Sequence, residues 1–310
     1  MNANLNLDLS GQSLPVFIDV RHASLGGDLA VHRALPTRWL RSVGHWCFLD
    51  HMGPAEFSSA DEGLHVGAHP HIGLQTFTWM IEGEILHRDS LGNEQVISAG
   101  QVNLMTAGHG ISHTEDSVGP LRKVHGAQLW IALPEDRQDI APAFSHHPRL
   151  PVWREGGCQV TVMAGGCGEH VAPVPLHSPL LGVDVTSEGG GQVRLPLRRD
   201  FEYALMVLRG RASVRGENAA TATDTPVAAE QFVYWPPGEP ALSLQLAPGS
   251  QVILLGGVPL AKRLTIWWNF VAFDRERIRQ AWHDWENGSE RFGRIAGMEH
   301  TRIAAPPLVL

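Results

Sequence analysis

Apolar and polar positions along this chain alternate in short blocks. From Thr76 to Ile81 the residues read TFTWMI, β-branched and aromatic, and EGEILHRDSLGNEQVISAG follows. Gly92-Asn93 within DSLGNE is a strong turn signal between two apolar stretches, so the segment reads as a β-hairpin. QVNLMTAGHGISHTED and KVHGAQLWIALP each hold a further apolar run closed by Gly, Pro or Asp. Strands recurring every ~8–12 residues are the spacing of a sandwich or barrel. TRWLRSVGHWCFLDHMGP, nearer the front, admits two short strands.

Glu135 to Pro151, EDRQDIAPAFSHHPRLP, is polar and Pro-rich without a clean period, and it reads as a linker. A second β run follows it: CQVTVMAG, LLGVDVT, GQVRLPL, EYALMVLRGRASVRG, QFVYWPPG and LSLQLAPGSQVILLGG. WMIEGEILHRD and MVLRGRASVRG share one spacing of apolar residues about a glycine. VNLMTAGHG and FVYWPPGEP both place a Gly-containing turn after an apolar strand. The two halves therefore fit two copies of one fold. Only FDRERIRQAWHDWENGSERFG reads as helix, with Ile278, Trp282 and Trp285 at i, i+4 and i+7, Asp274 as the cap and Gly288 as the stop.

With 310 residues, 43% of them hydrophobic, the chain is long enough for two domains with sizeable cores. Its 33 glycines and 21 prolines favour many short strands over long helices. A formal charge of −8 and the lack of any basic block argue against direct nucleic-acid binding. Three scattered cysteines, Cys47, Cys158 and Cys167, make no disulfide framework. The start has no basic region followed by an apolar run, and no 18-residue apolar stretch occurs, so a cytoplasmic protein without a membrane span is expected.

Histidine changes this picture most. There are 17, of which 13 lie between His22 and His147, and none falls between His177 and His283. Metal-capable chemistry is therefore expected in the first half. His69 and His71 stand at i and i+2, which places both side chains on one face of a strand. His113 and Glu115 repeat that spacing about 40 residues later, beyond the hairpin. Three imidazoles and a carboxylate converging inside a barrel suit a divalent first-row metal, and four protein ligands leave open positions for a substrate.

These segments resemble the cupin superfamily. Gly63, His69, His71 and Gly83 match its first motif, with Thr76 where the motif has glutamate. Gly100, Gly108 and His113 match the second loosely, with Thr106 in place of a proline and two extra residues before the histidine. Both departures resemble the pirin family, whose glutamate ligand stands beside the second-motif histidine. HPHIGLQTFTWMIEGEILHRDSLGN, MTAGHGISHTE, QLWIALP, FLDHMGP and the tail from GGVPL to RFG are similar to pirin sequence, over roughly Val20 to Ile295.

The resemblance implies an all-β fold of two tandem cupin barrels with a short C-terminal helix. It implies a metal-binding domain over residues 1–140 and a domain without metal ligands over 141–310. The implied ligands are His69, His71, His113 and Glu115, with Fe(II) as the expected metal and Ni, Mn, Co, Cu or Zn as alternatives. The implied activity is cleavage of a quercetin-type flavonol, or another small aromatic or enol substrate, with O₂ and loss of carbon monoxide. Glu115 would act as general base. The alternative is a metal- or redox-dependent regulator that binds a protein partner without catalysis. Members are usually monomeric.

Other residues carry two readings each. His87 is a donor behind the metal ligands or a turn stabiliser. His109 lines the pocket mouth or stands exposed, and His65 is strand surface or loop. His51 and His125 are of a type found in pocket walls, while His146 and His147 read as solvated. Phe48, Met52, Phe77, Met105 and Trp130 are core candidates that would also wall a flavonoid pocket. Cys47 reads as a small buried hydrophobe.

Overall fold

A computed structural model describes residues 2–7, 9, 14–25, 29–57, 63–118 and 123–310. Contacts divide the chain into two compact units. One comprises Met1–Arg21, His32–Leu49 and Arg149–Ala261; the other comprises His22–Val31, Asp50–Pro148 and Lys262–Leu310. These groupings are not the 1–140 and 141–310 domains expected from sequence: Met1–Arg21 and His32–Leu49 group with Arg149–Ala261, and one of several passages between the groupings falls between Pro148 and Arg149. The tail from Lys262 groups with the histidine-rich segments rather than with the residues that precede it.

In the histidine-rich unit the organising element is the 16-residue strand Leu74–Asp89. Its first half pairs with Val102–Thr106 and Lys123–Ala132. Its second half changes partners, to Glu94–Ser98 and Ile111–Val118. The change falls at Gly83, whose φ is +85°. A Cβ there would stand 1.8 Å from the Lys123 carbonyl oxygen, so only glycine allows the strand to pivot. The hairpin at Asp89–Glu94 forms where Gly92-Asn93 indicated. Met52, Met80, Ile85, Ile97 and Val124 fill an apolar core with Leu29, Val31 and Leu64.

The segment read as a linker is not wholly one. Ala143–His147 is a strand paired in register with Val102–Thr106. Its half-buried residues lack the apolar alternation that would reveal it. In place of two short strands, one 11-residue strand, Trp46–Glu56, begins in the ambiguous front segment and runs two residues past it. The helix runs Arg275–Glu286, with the Asp274 side chain accepting from the Glu276 amide at its start and Gly288 at φ +67° past its end. It buries Ile278, Ala281 and Trp285 against Ile72, Phe270 and Phe292. Among the described residues, no helix is long and apolar enough to cross a membrane.

The other unit repeats the plan. Val16–Ile18, Phe232–Trp235, Glu202–Arg209, Ser250–Gly257, Leu180–Ser187, Cys158–Cys167 and Val152–Glu155 follow one another across one sheet. Gly191–Pro196, Ala241–Leu246, Arg211–Gly216 and Thr225–Ala228 form a second. The alternation in GQVRLP buries Val193 and Leu195 and exposes Gln192 and Arg194, as a half-buried strand requires. Gly210, at φ +75°, stands between Glu202–Arg209 and Arg211–Gly216, which belong to different sheets. It is the counterpart of Gly83, so the glycine-centred similarity of the two halves marks one pivot used twice.

Candidate metal centre

Strand register brings the histidines together. His65–His71 pairs antiparallel with Ile111–Val118, with His69 directly opposite His113. Ile111–Val118 pairs on its other edge with Leu74–Asp89, which sets Glu115 opposite His87 and His113 opposite Asp89. Period-two alternation then places His69, His71, His87, Asp89, His113 and Glu115 on one face. All six are buried.

The His71 and His113 Nε2 atoms lie 3.0 Å apart, and the His69 and His113 ring centroids 4.3 Å apart. One ligand atom from each of His69, His71 and His113 falls within 4.8 Å of the other two. His87, His113 and Glu115 form a second such group, sharing His113. The three histidines singled out in the sequence thus converge, and Glu115 joins them through His113 and in company with His87.

Two of the imidazoles have their protons placed by the backbone. His69 Nδ1 lies 2.8 Å from the Gly67 carbonyl oxygen, and His71 Nδ1 lies 3.0 Å from that of Asn269. A carbonyl only accepts, so each Nδ1 donates and each Nε2 keeps its lone pair. Burial holds His69 down at about 4, and His71 and His113 well below their ordinary value, with repulsion from neighbouring imidazoles adding to it. Burial raises Glu115, with the Asp116 carboxylate adding to the rise and the neighbouring His87 and Thr78 partly offsetting it.

This donor set fits a divalent metal. Nitrogens about 2.1 Å from one ion and at right angles around it stand about 3.0 Å apart, the His71–His113 spacing. Neutral, buried imidazoles with free Nε2 lone pairs are the form that binds metal. Trp130 meets His71 edge-on with centroids 5.2 Å apart, and Phe144 stacks on His87 at 4.6 Å. Thr78 donates to Gln128 across the same face at 2.9 Å. The surroundings are thus aromatic with a few placed polar groups.

The remaining candidates separate. His65 is exposed and pairs with Asp116 at 3.1 Å. His109 is exposed, and its carbonyl accepts from Arg291 at 2.7 Å. His51 and His125 are buried with Nε2 atoms 3.0 Å apart, a pair outside both ligand groups. His146 is half-buried and bonded to Asn103 at 2.7 Å rather than solvated. Met52 and Phe77 are buried, as is Cys47. Sequence reasoning missed the carbonyls of Gly67 and Asn269, because a backbone acceptor leaves no residue signature. It also gave His87 too small a part, although His87 and Asp89 have the same i, i+2 spacing as the two pairs it chose.

Known proteins share these features. The family model described as Pirin matches residues 28–131, and that described as Pirin C-terminal cupin domain matches 182–293. A Pseudomonas aeruginosa protein provisionally named quercetin 2,3-dioxygenase is 51% identical over 291 residues, covering 94% of this chain and 90% of its own. A pirin-like protein of Caulobacter vibrioides is 40% identical, over 89% of this chain and 94% of its own. The crystal structure of a quercetin 2,3-dioxygenase from Acinetobacter baumannii matches with a TM-score of 0.88 at 43% identity, over 95% of each chain.

Proposed function

The chain belongs to the pirin family, and from that premise we propose that it is a metal-dependent dioxygenase cleaving a quercetin-type flavonol or a related aromatic enol with O₂. Its metal is held by His69, His71, His113 and Glu115. The observation that carries the reading is the His71–His113 spacing of 3.0 Å, with carbonyls fixing the tautomers of His69 and His71. The 43% identity to a solved enzyme of that name supports the substrate class.

When bound, a divalent metal supplies Lewis acidity, which lowers the pKa of an enol hydroxyl. We assign Fe(II) first; three nitrogens and one oxygen also accommodate Ni, Mn, Co, Cu or Zn. Glu115 takes the hydroxyl proton. Burial raises its pKa in the metal-free protein, and its grouping with His87 and His113 keeps the carboxylate beside the metal position. Trp130 and Phe144 give the centre aromatic surroundings of the kind a flat aromatic substrate would need.

The test is aerobic loss of quercetin absorbance with metal-free protein reloaded separately with Fe(II), Ni(II), Mn(II), Co(II) and Cu(II), and His69→Ala as control. Metal-dependent turnover absent from the variant supports the proposal. Tight metal binding without turnover, on quercetin or on simpler enols, would overturn the enzyme reading in favour of a metal-dependent regulator.

A further inference from the structure

His113 differs from the other two histidines in what holds it. Among the described residues its Nδ1 meets no carbonyl; it lies 3.3 Å from Nδ1 of a fourth imidazole, His87. The Nε2 of His87 lies 3.3 Å from Asp89 Oδ2. Asp89 is in turn held by the hairpin. Its Oδ1 accepts from the Leu91 amide at 2.9 Å and the Asn93 amide at 3.1 Å, and the Asn93 side-chain amide reaches Oδ1 at 3.0 Å and Oδ2 at 2.9 Å. Phe144 stacks on the His87 ring, with 14° between the planes.

The proton positions follow from donors and acceptors. An ionised carboxylate only accepts, so His87 Nε2 carries hydrogen and donates to Asp89. Of the two arrangements open to the His87–His113 contact, only the one in which His87 Nδ1 accepts leaves His113 Nε2 free for a metal. Two imidazole nitrogens share a hydrogen bond only when one donates, so His113 Nδ1 is the donor. His113 is left with its lone pair on Nε2, the atom facing His71 Nε2.

We infer that His87 and Asp89 are the positioning residues of the metal centre, setting the tautomer and ring orientation of His113 as the Gly67 and Asn269 carbonyls set those of His69 and His71. This rests on the metal-site reading above. The stretch HRDSLGN therefore does two things: Asp89 closes the turn, and through His87 it transmits that rigidity to the ligand. Partners of this kind typically contribute 10–100-fold to metal affinity.

The primary experiment needs neither metal nor variant. Long-range ¹H–¹⁵N correlation spectra of the full-length, metal-free protein, with histidine labelled, report which nitrogen of each imidazole is protonated. The expected result is His113 protonated on Nδ1 and His87 on Nε2. His113 protonated on Nε2 would overturn the inference. The second experiment measures Co(II) affinity by chelator competition, together with the Co(II) d–d spectrum. Asp89→Asn presents an amide donor to His87, inverting the chain and driving the His113 proton onto Nε2; it should weaken Co(II) binding about 10–100-fold and shift the spectrum. His87→Ala should do likewise, and His87→Gln, whose carbonyl accepts from His113, should restore much of the loss. Affinity within about twofold of wild type in both Asp89→Asn and His87→Ala would sink the role. His69→Ala, run alongside, separates the two readings: unchanged Co(II) binding there would overturn the metal site itself.

Discussion

His71 Nε2 stands 3.0 Å from His113 Nε2, on strands separated by a hairpin and joined by register. The ring of His71 is fixed from behind by the Asn269 carbonyl. Two lone pairs aimed at one point in a buried site repel each other unless a cation or a proton lies between them. That relationship organises the expectations that follow.

A metal that binds only the folded chain stabilises it by about 2.7 kcal/mol at a hundredfold excess over Kd. Adding Fe(II), Ni(II) or Co(II) should therefore raise the melting temperature of the wild-type protein by several degrees. His71→Ala and His113→Ala should lose that response, with metal affinity down by more than about 100-fold. A metal-induced shift of wild-type size in either variant would show that the ion binds elsewhere.

Glu115→Gln should separate binding from catalysis. The three imidazoles and the Gln carbonyl oxygen remain as donors, so the metal should still bind, though more weakly, while kcat at equal loading falls by about 10²–10⁴ as a general base is lost. Turnover measured at equal metal loading decides the point. Retained kcat would remove Glu115 from the base role.

Acid should weaken the metal-free protein. His69 sits at about 4 when folded, against 6.5 ordinarily, and His71 and His113 are displaced the same way. Between these values the unfolded chain binds protons that the folded one refuses, so stability is complete above about pH 6.5 and falls as pH drops toward 4. Melting of metal-free protein across this window should show the slope, and His69→Ala/His71→Ala should flatten it. An unchanged slope in the double variant would locate the acid sensitivity in other groups.

Gly83→Ala should damage the fold without touching the site. The new Cβ would stand 1.8 Å from the Lys123 carbonyl oxygen at a φ of +85°. Strain of this kind costs on the order of 1–3 kcal/mol before backbone displacement is counted. Chemical denaturation should register the loss as a lower midpoint; a cost under about 0.5 kcal/mol would mean that the strand does not pivot there.

Phe270→Ala tests whether the tail serves the centre. Phe270 is fully buried, bridges to Ile72 and follows Asn269, whose carbonyl orients His71. Removing the ring should cost about 3–5 kcal/mol. Metal affinity should fall too, because the carbonyl loses its support. Calorimetric titration with Co(II), at a temperature where the variant stays folded, distinguishes the two effects.

Periodicity and turn chemistry are local, and these are the properties the amino-acid sequence determined unaided. The i, i+2 spacing of His69–His71 and of His113–Glu115 puts each pair on one face wherever its strand lies. Gly92-Asn93 makes the hairpin, and Asp274 caps the only helix longer than one turn among the described residues. The glycine shared by WMIEGEILHRD and MVLRGRASVRG revealed two copies of one plan.

Tertiary structure alone decided which groups meet across long stretches of chain. Ala143–His147 became a strand because Val102–Thr106 presented an open edge, which no local pattern announces. The Asn269 carbonyl reaches His71 from 198 residues away, because the tail packs with the histidine strands. Glu115 was placed beside His87 by register, so the carboxylate's company could not be read from its spacing to His113. Side-chain spacing is written into a strand's geometry, whereas backbone acceptors and cross-strand partners depend on how distant segments fold together.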